Sequence, residues 1–222
     1  MTYNEIIKDA RTALGGKLCK ACDECNGRAC RNMIPGPGAK GIGDTAMRNY
    51  DAWRKVRVKM DTICTKQQVD MSVEMFGHHF SYPFFAAPVG AVNIHFGEKY
   101  DDRQYNDIMV CACAEAGIAA FTGDGVLDEV VPMACESIKR NRGMGIPTIK
   151  PWDSETVKRK MKYAIDCGAI AIAMDVDAAG LPFLRNSNPP AGSKNVEELH
   201  EIIMAAGRPF IVKGIMTVRG AE

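Results

Sequence analysis

From residue 84 onward the chain alternates between two hydrophobic periods. Continuous apolar stretches occur at 84–88, 118–122, 146–150, 169–175 and 209–213, each bounded by proline, glycine or charge. Stretches of that length and composition predict buried strands. Between them, apolar positions recur at helical spacing: over 100–116 up to Gly117, through Leu127, Val130, Val131, Ala134 and Ile138, and from Asp153 or Ser154 to Gly168. A further helix is predicted from Asn195, with Glu198 at capping-box spacing, to Gly207, and Thr217 reads as the cap of another. Strands alternating with helices imply parallel pairing through right-handed crossovers. The strands are apolar throughout rather than every second residue, as expected when both faces are covered.

The earlier part of the chain is patterned differently. Ile6, Ile7, Ala10 and Leu14 predict a helix over 3–14, stopped by Gly15-Gly16. Pro35 to Gly43 is dense in glycine and proline, lacks the lysine-serine or lysine-threonine pair of a P-loop, and reads as a linker around a barrel mouth. Asp44 is placed to cap a helix through Met47, Tyr50, Ala52 and Trp53. Alternation at Met71, Val73 and Met75, then Phe76-Gly77-His78-His79-Phe80, predicts a hairpin with both histidines exposed in its turn. These patterns divide the chain into an N-terminal helical, cysteine-rich segment, 1–68, and an α/β part, 69–222. No G-x-G-x-x-G follows any strand, which disfavours a dinucleotide-binding sheet and leaves a (β/α)8 TIM barrel, with about five strand-helix units present.

Composition narrows the function classes. With 222 residues, 46% hydrophobic, 25% charged and a net charge of +1, the chain is neither disordered nor fibrous and has no basic face for nucleic acid. No apolar run approaches the roughly 20 residues of a membrane span, and the first residues lack signal-peptide character, so a cytoplasmic location is expected. Nine cysteines, an odd number, argue against a secreted disulfide scaffold. Cys111, Cys113, Cys135 and Cys167, in predicted helices, and Cys64, in an extended stretch, are expected in the core. Cys19, Cys22, Cys25 and Cys30 stand in a C-x2-C-x2-C-x4-C run that can converge on an iron-sulfur cluster or a zinc ion, or can be four reduced thiols.

The candidate chemistry centres on Lys213. It ends an apolar strand, and a buried lysine at the carboxyl edge of a parallel sheet requires a negative partner. Around it, Ala87-Pro88-Val89-Gly90, the fourth strand ending at Asp175, and Ile211-Val212-Lys213-Gly214-Ile215 together resemble the FMN-dependent α-hydroxy-acid oxidases and dehydrogenases. Gly38-Ala39 and Arg48-Asn49 add to the likeness, which spans about 33–222. The resemblance implies FMN across the carboxyl ends of the strands and oxidation of a small 2-hydroxy acid to a 2-oxo acid. It implies that Lys213 faces the flavin, that Pro88, Val89 and Gly90 lie against it with Thr122, Gly123 and Lys150, and that Asp175 orients a histidine base. Arg185 and Trp152 would stand on the substrate side.

Against the family's pattern, Lys150 replaces a glutamine, Trp152 a tyrosine and Ala173 a threonine, Gly123 stands for a serine, and Met33-Ile34 occupies the place of another tyrosine. The family's catalytic histidine, second arginine and FMN phosphate site belong to later strands. The chain is therefore read as the N-terminal part of such an enzyme, homo-oligomeric when full length and with an electron-transfer protein among its candidate partners, or else as a truncated, inactive product. Two alternatives stand beside it: another FMN barrel enzyme resembling type 2 isopentenyl diphosphate isomerase, and a non-catalytic module that binds metal through the four clustered cysteines.

Overall fold

The structure is a computed structural model and describes residues 1–14, 19–31 and 43–222. The expectations at Gly15-Gly16, at Met33-Ile34, at Gly38-Ala39 and over most of the proline-rich loop lie outside these residues. The chain forms two compact units, Met1–Asp70 with Val92–Tyr100, and Met71–Ala91 with Asp101–Glu222.

The first unit contains helices α1 (Tyr3–Leu14), α2 (Thr45–Trp53) and α3 (Val92–Phe96). Asp44 does occupy the N-cap of α2, but its φ of −104° and ψ of 1° turn the side chain away from the helix amides and no capping bond forms. A capping carboxylate needs an extended backbone to reach back, and Asp44 does not have one.

The second unit begins with a hairpin, β1 (Val73–Met75) and β2 (His78–Phe80), paired antiparallel with Glu74 opposite His79. Its turn is Phe76-Gly77, both at positive φ (56° and 75°), which the two-residue turn matching strand twist requires. The histidines therefore lie on the returning strand rather than in the turn. His79 is exposed, with Nδ1 2.6 Å from Glu74 Oε1.

Beyond the hairpin come α4 (Asp102–Glu115), β3 (Ala120–Thr122), α5 (Val130–Arg140), β4 (Gly145–Ile149), α6 (Ser154–Asp166) and β5 (Ile172–Asp175). After β5 follow a 3-10 turn (Val176–Gly180), α7 (Pro182–Arg185), α8 (Val196–Ala206), β6 (Phe210–Lys213) and α9 (Val218–Ala221). Strands β3 to β6 form one parallel sheet in sequence order, the arrangement of successive units in a (β/α)8 barrel. The expected strand at 84–88 contributes a single step: Ala86 N–H donates to Ala119 O (3.2 Å) and Ala86 O accepts from Phe121 N–H (2.9 Å). Pro83 and Pro88, which lack amide hydrogens, bracket that step and limit the ladder.

Local chemistry sets the helix ends. Asp101 and Gln104 form a capping box on α4, and Asn195 and Glu198 form the expected one on α8. Asp153 Oδ1 accepts from Glu155 N–H and Thr156 N–H at the start of α6, while Thr217 caps α9. Gly207, at φ 60°, takes the left-handed position that ends α8.

The sheet has two apolar faces. On one, Ala120, Ile149, Ile172 and Met174 pack against Val131 and Ile138 of α5, Val157 and Met161 of α6, and Ile202 of α8. On the other, Ile146, Ala171 and Ala173, with Phe121 and Ile211, pack around the fully buried Phe80 of the hairpin. Phe80, Phe85 and Phe121 meet edge to face, with centroids 5.1 and 6.0 Å apart. Strand alternation then assigns every later side chain to one face or the other.

Candidate active site

The inner face, opposite the helices, carries the site. Thr148 pairs with Ala173, and Ala173 with Ile211, so these three side chains form one layer. One layer nearer the carboxyl ends stand Lys150, Asp175 and Lys213, because Asp175 is paired with Lys213 and Lys150 follows Ile149, the partner of Met174. Three adjacent strands thus deliver a cation, an anion and a cation side by side.

The contacts follow from the register. Lys213 Nζ donates to Asp175 Oδ1 at 2.6 Å, and Lys150 Nζ donates to Asp175 Oδ2 at 3.3 Å. Lys213 also lies 3.8 Å from Asp177 Oδ1. Lys150 and Asp175 are mostly enclosed, whereas the Lys213 side chain is 39% exposed and so is not the buried cation expected from its strand. The reason is its place at the margin of the described sheet, where β6 has a neighbour on one side only. Burial pushes the Asp175 carboxyl upward, but the Lys150 and Lys213 ammonium groups outweigh burial and hold it well below the usual carboxylate range. Both Asp175 oxygens are engaged by lysines.

Asp177 had no place in the sequence reading, although the Asp175-Val176-Asp177 repeat marks it. A Cβ on Gly214 would lie 2.7 Å from Asp177 Cβ, and Gly214 has φ of 106°, so only glycine lets the turn after β6 pass this close.

A second charged centre was also missed. The Asp124 carboxylate, with 0% side-chain exposure, accepts from Lys160 Nζ (2.6 Å), Trp152 Nε1 (2.6 Å), Lys150 N–H (3.0 Å) and Gly125 N–H (2.8 Å). It fastens the loop after β3 to the end of β4. Trp152 is consequently 2% exposed, its indole N–H occupied by Asp124 and its ring 5.0 Å from Lys160 Nζ. This corrects its expected place beside substrate: Trp152 is a buried support of the β4 end. The signal lay in α6, where Lys160 shares the apolar stripe of Val157, Met161 and Ala164, a position that demands a buried anion.

Val89 and Gly90 lie against the backbone of Gly123 and Asp124 at the end of β3. A Cβ on Gly123 would sit 2.3 Å from Val89 C, and one on Gly90 would sit 2.8 Å from Asp124 O. Thr122 alternates with Phe121 and shares the helix-facing side with Ala120, so Gly123, not Thr122, borders the inner face. Arg185 is exposed in α7, with Nε donating to Ala179 O at 3.2 Å.

The inner face suits the isoalloxazine part of FMN. The Thr148 hydroxyl is buried without a partner, Ala173 beside it is small, and Gly123 carries no side chain. Over that layer stand the two lysines. A flat heterocycle with polar edges matches an orphan hydroxyl, close backbone and cations in this order.

Among the described residues no three metal-ligating side chains converge. Other contacts hold the loop of the cysteine run. Arg11 donates to Ala21 O (2.9 Å) and pairs with Asp23 (2.7 Å), Tyr3 Oη donates to Asp23 O (3.0 Å), and a Cβ on Gly27 would fall 2.6 Å from Ala46 Cβ. The thiols are free, and burial followed by the neighbouring Cys25 raises the Cys30 pKa. Of the scattered five, Cys113, Cys135 and Cys167 are buried as expected, but Cys111 is half-buried and Cys64 exposed. Cys64 lies in an extended stretch whose apolar neighbours are themselves exposed, so no core reaches it.

No described helix is long and apolar enough to cross a membrane. No curated protein sequence matches the chain. Among solved structures, a mandelate oxidase variant bound to 2-hydroxy-phenylacetamide is similar at a TM-score of 0.64 and 18% identity, covering 99% of this chain and 64% of that one. A flavocytochrome b2 variant follows at 0.60 and 15% identity, covering 94% and 49%. A soluble mutant of the membrane-associated (S)-mandelate dehydrogenase from Pseudomonas putida gives 0.52 and 17% identity, covering 97% and 54%. At these identities the likeness is one of fold, and the chain spans about half to two thirds of each structure's length. The sequence model of the FMN-dependent dehydrogenases matches residues 36–188, more than half of the chain. By that match, over the strands that carry Lys150 and Asp175, the chain belongs to the FMN-dependent dehydrogenase family.

Proposed function

We propose that the protein is an FMN-dependent oxidoreductase that oxidises a small 2-hydroxy acid to the 2-oxo acid. The observation that carries this reading is the Lys150, Asp175 and Lys213 layer on the inner face of a parallel sheet, in a chain of the FMN-dependent dehydrogenase family. When bound, FMN supplies the hydride acceptor. Lys213 and Lys150 would supply positive potential at its polar edge, a preorganised electrostatic contribution from groups already held in place. The Val89 and Gly90 backbone, packed against Gly123, would form one wall of the flavin site. The Thr148 hydroxyl would find in the flavin the partner it lacks. Arg185, exposed in α7, is the candidate for pairing with the substrate carboxylate. An electron-transfer protein as final acceptor is supported by a flavocytochrome among the proteins of this fold.

The test is spectroscopic. Protein purified in the dark should show flavin absorbance, and anaerobic addition of lactate, glycolate or mandelate should bleach it. Protein without flavin, or flavin that none of a broad panel of 2-hydroxy acids reduces, would count against the reading.

A further inference from the structure

We propose that Asp175 sets how much positive charge the site presents to bound flavin, and that Lys150 contributes to that charge jointly with Lys213. The inference rests on the FMN reading above and concerns the redox poise of the same site.

Three observations support it. The carboxylate is shared, with Oδ1 2.6 Å from Lys213 Nζ and Oδ2 3.3 Å from Lys150 Nζ, so neither ammonium acts as an isolated charge. Lys150 and Asp175 side chains are each only 17% exposed, so water screens their interaction weakly. Asp175 and Lys213 are paired across β5 and β6, and Lys150 directly follows Ile149 at the end of β4, so the charges are held at the ends of three adjacent strands.

The consequence concerns a difference between two redox states. Two-electron reduction increases electron density on the flavin, and positive potential from nearby groups favours the reduced state. The Asp175 carboxylate opposes that potential, and Lys150 restores part of it. A role confined to clamping β4, β5 and β6 would affect stability without affecting the redox equilibrium. The two roles therefore have different signatures.

The experiment measures the midpoint potential of the flavin-loaded protein by dye equilibration. Asp175→Asn should raise the potential, with reduced FMN held about tenfold more tightly relative to oxidised FMN, a shift of about 30 mV for a two-electron couple. Lys150→Met should lower it by a similar amount. The double variant, which removes one charge of each sign, should return close to the wild-type value, and Asp175→Glu, which keeps the charge, should leave the potential in place. If the single variants lose thermal stability while the potential stays put, the trio is only a strand clamp and the proposal is overturned. Should Asp175→Asn fail to fold, Lys150→Met and Asp175→Glu still decide it, because the first must lower the potential and the second must not. Protein that binds no flavin overturns the FMN reading itself, whereas flavin-loaded protein with an unresponsive potential overturns this inference alone.

Discussion

Asp175 makes stability depend on pH at the level of one residue. Its folded-state pKa is depressed, so protonation is harder in the folded chain than in the unfolded one. Its contribution is therefore complete above the unfolded carboxylate pKa of about 3.9 and is lost as pH falls from there towards the folded value. Asp175→Asn should be less stable than wild type at neutral pH, because Lys150 and Lys213 lose their shared anion, and the gap should narrow below about pH 4. Urea denaturation at a series of pH values measures this, and a constant gap would show that Asp175 does not carry the acid dependence. Asp124 makes a sharper case, since it and Lys160 are almost wholly enclosed. Asp124→Ala should cost about 3–5 kcal/mol by leaving a buried ammonium unpaired, whereas Asp124→Ala with Lys160→Met should recover much of the loss. Equal destabilisation in the single and double variants would refute this account. Lys213 and Asp175 were visible in the sequence because both end apolar strands. Asp124 was not, because its partners Trp152 and Lys160 lie 28 and 36 residues further along the chain.

Among the elements, the helices and their caps were the most readable features, since spacing and capping chemistry are local. The strand at 84–88 was the least so: its apolar composition was right, but the flanking prolines limit it to the Ala86 bridge. Face assignment required the register. Thr122 looked like a site residue by position, yet the pairing of Phe121 with Ile146 turns Thr122 towards the helices and leaves Gly123 at the inner margin. Close approach at Gly123 sets the element-scale prediction. Gly123→Ala would bring a methyl group 2.3 Å from Val89 C, and backbone cannot yield as a flexible side chain can. The 88–90 segment must then shift, so the variant should lose flavin content on purification as well as thermal stability. Flavin-to-protein absorbance ratios alongside thermal melts check both, and unchanged flavin content would show that this contact does not shape the cofactor wall.

For the whole molecule, the sequence reading set one boundary, at residue 68, whereas Val92–Tyr100 joins the first compact unit and the second resumes at Asp101. That return depends on non-local contacts, Cys19 N–H donating to His95 O (3.1 Å) and Gly97 lying against the backbone of Ala13 and Leu14, which no periodicity announces. In the second unit, β6 ends the sheet with one edge unpaired among the described residues. Val196 and Met204 of α8, and Met216 and Val218 just after β6, are exposed near the end of the same sequence stretch. An unpaired strand edge together with exposed apolar side chains favours association with another chain, because edge amides and carbonyls can pair while apolar surface leaves water. The 222-residue chain on its own should therefore self-associate as its concentration rises. Met216→Lys with Val218→Lys should weaken that association without unfolding the sheet, since both side chains are already in solvent. Light scattering coupled to gel filtration over a wide concentration range measures the mass directly. A chain that remains monomeric throughout, or lysine substitutions that leave association unchanged, would show that this surface is not where copies meet.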